Sequence, residues 1–382
     1  MRRAASFIIC GLALLIVLPN EPAQAQPEPA PVAALRDPVE DAVDRGLAHL
    51  ARTQSKDGSW PSGANAPVLG RPRGPVATTE REGDCAITAL AVMAFLSAGH
   101  VPGEGLYGDR LTAGIQFVAR NQLKNGLFAG VNQGGVEMYY HGICTLMLAE
   151  VVGMTDRKTA EEMRGRLQAA VKIILEAQRR NTTNDRGGWR YGIGGTDADL
   201  SVTGWQFLAL RAAKNVGCDI PSERIDAALA YVKRCYNARS GGFTYTAYGM
   251  VTEPCTGVGI LCLELGGKDT HQSPEALKAA GFLMENPITG ASPHFFYGTY
   301  YIAQAMFQIG DDYWKGYRTR LHKSLLRSHP PSNDGAWGAG GSGDARHGTA
   351  YATAMAILAL TVEYRYLPIY QRFEEPLERD GD

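Results

Sequence analysis

Asp197 and Asp199 lie in the stretch Gly194-Gly195-Thr196-Asp197-Ala198-Asp199-Leu200-Ser201-Val202-Thr203-Gly204-Trp205. The run that follows, Phe207-Leu208-Ala209-Leu210, is apolar and reads as helix. Both carboxylates therefore fall at or just before a helix N-terminus. Partial positive charge there favours anions, and Asp and Ser are good caps. An acid in this place has two uses. It can simply cap its helix, or, held neutral by burial, it can act as a proton donor at the mouth of a cavity.

The elements that would position these acids come from a repeat. Gln54 precedes Gly58-Ser59-Trp60, Gln122 precedes Gly126-Leu127-Phe128, and Gln178 precedes Gly187-Gly188-Trp189 after a longer insert. Gly241-Gly242-Phe243 and Gly335-Ala336-Trp337 continue the series, with a degenerate unit between them around Asn286 to Phe296. A spacing of roughly 55 residues is the size of a helical hairpin with loops. Each turn follows an amphipathic helix with charged residues on one face, such as Ala42-Val43-Gly46-Leu47-Leu50. Each turn precedes a more uniformly apolar helix: Cys85 to Leu96, Gly142 to Val151, Ser201 to Ala212, Thr256 to Leu265, Tyr297 to Phe307 and Thr349 to Val362. Apolar faces all round imply burial on most sides. Outer polar helices alternating with inner apolar ones predict an all-α, closed (α/α)6 toroid of six hairpins. An open solenoid needs polar caps at both ends, and the last apolar helix is not one.

Composition sets outer limits. The 382 residues are 45% hydrophobic, enough for a substantial core. A formal net charge of -1 gives no reason to expect a nucleic-acid partner. Residues 1–25 read as an export signal: Arg2 and Arg3, an apolar stretch from Phe7 to Leu18, then Ala23-Gln24-Ala25 as a cleavage site. This predicts a periplasmic or secreted protein. Residues 26–38 read as a Pro/Ala-rich linker, 39–366 as the toroid and 367–382 as an acidic tail. Of the 7 cysteines, all but Cys10 lie beyond the cleavage point. Cys144 and Cys262 sit in apolar helical runs, where cysteine serves as a small core residue.

Gly46-Leu47-Ala48-His49-Leu50, Gln54 and Gly58-Ser59-Trp60 resemble the QW repeat of the squalene cyclase and protein prenyltransferase superfamily, whose members are (α/α)6 toroids. The resemblance spans roughly residues 39 to 366. Triterpene cyclases protonate an alkene or epoxide with an aspartic acid in a D-x-D-D-T/S motif. Asp197-Ala198-Asp199-Leu200-Ser201 matches it, with Leu200 in place of the last Asp. The resemblance therefore implies Asp199 as general acid, with Asp197 beside it, in an isomerase acting on an isoprenoid. Full-length triterpene cyclases join two such domains, and this chain is long enough for one.

Such chemistry requires a dry cavity with aromatic walls to stabilise carbocations. The candidate lining residues at or near the inner-helix starts are Tyr139, Tyr140, Trp205, Phe295, Phe296, Tyr300, Tyr301 and Tyr351. Glu82, Asp84 and His141 are polar candidates at the same mouth, since all inner helices of a toroid start on one side. The expected partner is a hydrophobic small molecule, with peripheral membrane contact as its source. No cofactor is expected. The prenyltransferase branch of the superfamily holds zinc through Asp-x-Cys and a later His, and Glu253, Cys255, His294 and His347 are a loose echo of it. Two other classes fit a toroid. A lyase or sugar-binding protein would use Arg186, Arg190 and Arg346 against uronates, and a non-catalytic scaffold would bind a lipid, glycan or protein partner.

Overall fold

The computed structural model describes residues 36–62, 84–128, 136–181, 183–338, 344 and 347–371. The export signal and nearly all of the linker lie outside this set. No helix among the described residues is long and apolar enough to cross a membrane.

The described residues form six helical hairpins. The outer helices are α1 (Pro38–Thr53), α3 (Gly108–Arg120), α5 (Arg157–Ala177), α7 (Ser222–Arg234), α9 (Pro274–Glu285) and α11 (Asp311–Lys323). The inner helices are α2 (Cys85–Ser97), α4 (Glu137–Met154), α6 (Leu200–Asn215), α8 (Glu253–Glu264), α10 (Phe295–Ile309) and α12 (Gly348–Leu360). Every residue of α2 is buried, whereas α1 buries only the stripe containing Val39, Val43, Leu47 and Leu50. Around the inner ring α2 packs on α4, α4 on α6, α6 on α8, α8 on α10, α10 on α12, and α12 back on α2. The described residues from Asp37 onward form a closed (α/α)6 toroid.

The glycine-aromatic turns explain why the ring closes. The turn aromatic is plugged into the core: Trp60, Trp189 and Trp337 are fully buried, each worth about 1.5–3 kcal/mol of hydrophobic burial. Their indole N–H groups donate back to the preceding outer-layer carbonyls of Leu50, Ile174 and Leu325. Their backbone N–H groups donate to a threonine one turn into the next inner helix: Trp60 to Thr88, Trp189 to Thr203 and Trp337 to Thr353, each at 3.0 Å. The glutamine before the turn donates both to the turn glycine and to the next outer helix. Gln54 thus reaches the Arg110 carbonyl, Gln122 that of Arg166 and Gln178 that of Arg224. One motif therefore ties three helices together.

The turn glycines press directly on the next outer helix. At Gly187 (φ +93) a Cβ would lie 1.9 Å from the Ala227 carbonyl oxygen, and at Gly335 (φ +86) 2.1 Å from that of Arg45. No side chain fits in either place, and both need a backbone conformation natural to glycine. The Gly335 contact joins the last turn to the first helix. Arg52 of α1 donates to the Asp334 carbonyl at 2.7 Å, and Thr361 donates to Ser97 at 2.8 Å across the same seam.

Two expectations need correction. The toroid does not stop at 366. Leu367, Ile369 and Tyr370 are buried, the Tyr370 and Tyr300 hydroxyls hydrogen-bond at 2.5 Å, and Gln308 donates to the Tyr370 carbonyl. These apolar residues plug the end of the bore away from the inner N-termini. Residues 372–382 lie outside the described set. Helix α4 also begins at Glu137 rather than Gly142. No capping side chain announces that start, because Val136 holds the cap position without a side-chain hydrogen bond.

Candidate functional site

Asp199 is the N-cap of α6 and is 0% exposed. Its backbone N–H donates to the Trp189 carbonyl at 2.9 Å, and the next N–H, of Leu200, donates to that of Tyr245 at 2.7 Å. Its Oδ1 accepts from the Ser201 hydroxyl at 2.6 Å and the Val202 N–H at 2.8 Å. Its Oδ2 has no hydrogen-bond partner among the described residues. The nearest cation is Arg190, whose Nε is 3.6 Å from Oδ2 and 3.3 Å from Asp197 Oδ2. Asp197 is largely exposed. The two acids are thus unlike: one is solvated, and the other is enclosed with one bare oxygen. Burial raises the pKa of Asp199, and the Ser201 and Val202 hydrogen bonds and Arg190 only partly offset it.

Three tyrosines enclose this acid. The Tyr139 hydroxyl hydrogen-bonds Ser201 at 2.5 Å, and its ring stacks on Tyr191 at 5.6 Å. The Tyr191 and Tyr245 hydroxyls hydrogen-bond each other. The Arg190 guanidinium lies over both of these rings, 4.9 and 5.4 Å from their centroids. The loop carrying Arg190 and Asp197 is stapled by Arg179, which donates to the carbonyls of Ala177, Gly192, Ile193, Gly194 and Asp197. Arg179 itself lies in the longer insert before Gly187. Arg179, Tyr191 and Tyr245 were not anticipated.

Below the acid, Trp205 stacks on Tyr300 (5.7 Å, 11° between planes) and meets Tyr301 edge-on at 5.2 Å. Helices α6 and α10 are separated by α8 in the ring, so these rings meet across the bore and form its floor. Trp205, Tyr300 and Tyr301 are fully buried. Tyr297, one turn above Tyr301, was not anticipated as a site residue. Its hydroxyl lies within electrostatic range of Asp199, Tyr139, Cys255 and Tyr351. First-turn residues of α4, α8, α10 and α12 and the cap of α6 therefore meet at one mouth, as parallel inner helices require.

Other anticipated residues serve the scaffold. His141 is buried, accepts the Phe128 N–H at Nδ1 and donates from Nε2 to the Ala170 carbonyl. It occupies the place that threonine holds in the other repeats. Burial lowers its pKa to about 4, so the ring is neutral. Tyr140 donates to Asp84 at 3.1 Å, while Asp84 caps α2 through the Ala86 and Ile87 N–H groups. That pair links α2 to α4. Phe295 packs on Phe296 and on His329 of the outer layer, and the Phe296 N–H donates to Asp344 at 2.9 Å. This carboxylate caps α10 from the following loop, because His294, at the cap position, makes no side-chain hydrogen bond.

Tyr351 meets His347 ring to ring at 4.8 Å. Glu82 and Arg346 lie outside the described residues. Arg186 is exposed, and Arg190 lies within 3.3 Å of Asp197 and 3.6 Å of Asp199. Glu253, Cys255, His294 and His347 do not converge. Among the described residues, no three His, Cys, Asp or Glu side chains are placed to hold a metal ion.

No protein-family model matches the chain, and no curated protein sequence matches it. Solved structures do. The α-1,6-mannanase GH76A of Salegentibacter sp. HEL1_6 superposes with a TM-score of 0.61 at 11% identity, over 85% of this chain and 98% of that one. An inactive variant of it was solved with α-1,6-mannotriose. A D-mannose isomerase gives 0.58 at 11% identity, covering 88% of this chain and 100% of that one. The type II terpene cyclase MstE from Scytonema gives 0.54 at 14% identity, covering 86% and 99%. At such identities the likeness is one of fold: this chain has an (α/α)6 toroid, a fold found in a terpene cyclase and in enzymes of carbohydrate chemistry alike.

Proposed function

We propose that the chain is a terpenoid-cyclase-like enzyme that protonates an apolar small molecule, of isoprenoid type, at the mouth of the toroid. Asp199 is the general acid. The observation that carries this reading is its carboxyl group, wholly enclosed, with Oδ1 anchored and Oδ2 lacking any hydrogen bond among the described residues. Burial favours the neutral, proton-bearing form. Once the proton has left, Arg190 at 3.6 Å stabilises the carboxylate. The half-buried Tyr139 and Tyr297 offer ring faces to a cation, while Arg190 covers those of Tyr191 and Tyr245. The Trp205–Tyr300 floor confines the reacting part of the substrate to the mouth. Export and supply from a membrane belong to the same proposal.

A second reading, a non-catalytic binding protein, is favoured by one fact: Asp199 also caps its own helix. One experiment separates the two. The native chain and Asp199→Asn are incubated in D2O with vesicles carrying farnesene, geranylgeraniol or squalene, and products are analysed by mass spectrometry. The acid reading expects isomers carrying deuterium from the native chain and none from Asp199→Asn. Binding by both chains with no isomer from either leaves a binding protein.

A further inference from the structure

The loop that closes the far end of the bore is a self-contained piece. After α12 the chain makes a short 3-10 turn, Thr361–Tyr364, and reverses at Arg365, which is left-handed at φ +55. Beyond this bend the loop closes on itself. The Tyr370 N–H donates to the Leu367 carbonyl at 3.1 Å, the Gln371 N–H to that of Pro368 at 3.2 Å, and the Gln371 side chain to that of Arg365 at 3.1 Å. The loop is tied to the inner ring by the Tyr370–Tyr300 hydroxyl pair at 2.5 Å, by Gln308 donating to the Tyr370 carbonyl at 3.1 Å, and by the Ile369 N–H donating to Glu150 at 3.4 Å. Its fit is incomplete. A cavity of about 10 Å³, the least that holds one water, lies between Leu367 and Tyr370 of the loop and Gln304 and Thr361 of the ring. The buried Gln304 Oε1 beside it has no hydrogen-bond partner among the described residues.

Glu150, near the end of α4, lies against this loop and is 1% exposed. The titratable groups facing it are Tyr300 of α10 and Tyr370 of the loop, and burial raises both phenols, so they stay neutral. Helices α2, α5 and α6 also pack on α4, and no charge on them acts on Glu150. Arg365 lies instead over the Phe307 ring, 5.1 Å from its centroid. An ionised carboxylate in such surroundings must gain water or a cation. The neighbouring helices cannot withdraw without breaking the ring, whereas the loop can turn about Arg365 with its own bonds intact. We propose that residues 365–371 are a hinged strap, seated while Glu150 is protonated and released when it ionises, which uncovers the Tyr300 end of the bore. The device is separate from Asp199 and does not depend on proton donation there. The sign follows from linkage. Burial under the seated strap raises the Glu150 pKa from 4.5 to about 8, and hydration after release returns it to the lower value. Opening therefore becomes about tenfold more favourable per pH unit between about pH 5 and 8 and levels off above that.

Hydrogen exchange resolved to single amides tests this on the whole chain, with rates corrected for the intrinsic pH dependence of exchange. The Ile369 amide reports the strap, and the amides of Leu90 to Phe95 in the buried α2 report the ring. In the native chain the protection of Ile369 is expected to fall about tenfold per pH unit up to about pH 8, while that of α2 holds. Glu150→Gln is expected to remove the slope. Tyr370→Phe, which loses only the hydroxyl pair with Tyr300, is expected to lower Ile369 protection about fivefold at every pH and to keep the slope. Protection of Ile369 that does not change with pH overturns the proposal. So does a fall shared in step by α2, which would be loosening of the whole toroid, and so does a slope that survives in Glu150→Gln.

Discussion

Asp84 and Asp199 hold the same position in two repeats. Each caps an inner helix, each gives its Oδ1 to main-chain N–H groups, and burial raises the pKa of each. They differ in the second oxygen. That of Asp84 accepts from Tyr140, whereas that of Asp199 has only Arg190 at 3.6 Å. Tyr139, one residue before Tyr140 on α4, hydrogen-bonds Ser201 rather than Asp199. A capping acid whose bonds are all made is architecture. The same acid with one oxygen left open is available for chemistry.

The two carboxyl protons can be removed separately. Asp199→Asn is expected to lower the rate of substrate protonation by about 10²–10⁴-fold, the usual contribution of a general acid. Asp84→Asn is expected to leave that rate within about threefold, because its carboxyl acts only on α2 and Tyr140. Steady-state rates of the two variants settle it, and equal losses would erase the distinction. Next in size is Arg179→Met, which leaves four carbonyl contacts of the Asp199 loop and one at the end of α5 unmade. Destabilisation of about 3 kcal/mol is expected in urea unfolding, with amide exchange rising first between residues 190 and 199. Asp84→Ala should cost about 1 kcal/mol as a lost cap, with no such local opening.

The pH dependence of stability is a smaller effect that compares the mouth with the closed end. Glu150 is buried near the Tyr300–Tyr370 pair, accepts only a long bond (3.4 Å) from the Ile369 N–H, and has its pKa raised to about 8 by burial. Its folded-state pKa lies above its unfolded value. Its contribution is therefore complete below pH 4.5 and is lost as pH rises through about 8. Asp199 has the same sign: its contribution is complete below 3.8 and is lost as pH rises through its elevated pKa. Glu150→Gln should flatten the decline up to about pH 8, and Asp199→Asn should flatten the part of it that begins at pH 3.8. Chemical denaturation across that range measures both.

Much of the toroid was legible because its turns are built from residues with one physical job. Glycine permits a close approach, the aromatic ring fills the core, and glutamine links neighbouring helices. The inner starts at Cys85, Leu200 and Phe295 fall within two residues of the positions read from the sequence, whereas α4 begins five earlier because nothing at Val136 marks a cap. At the mouth, Tyr139 reaches Asp199 through Ser201, and Arg190 lies between Asp199 and Asp197. His141 was misread because a histidine that accepts from one main-chain group and donates to another looks, in sequence, like one that faces a cavity. Phe295 faces the outer layer because the chain enters α10 through His294 in a left-handed conformation, which no local residue pattern revealed. Tyr297 was overlooked among apolar neighbours. A hydroxyl that no apolar neighbour can pair was the signal available.

Proton donation by Asp199 requires its neutral state, and a carboxyl 13C NMR titration of the Asp-labelled chain, assigned by difference with Asp199→Asn, measures that state directly. The predicted result is a resonance that titrates clearly above the ordinary aspartate value of 3.8. A resonance titrating at or below that value would make Asp199 an ionised helix cap, and the contrast with Asp84 would carry no chemistry.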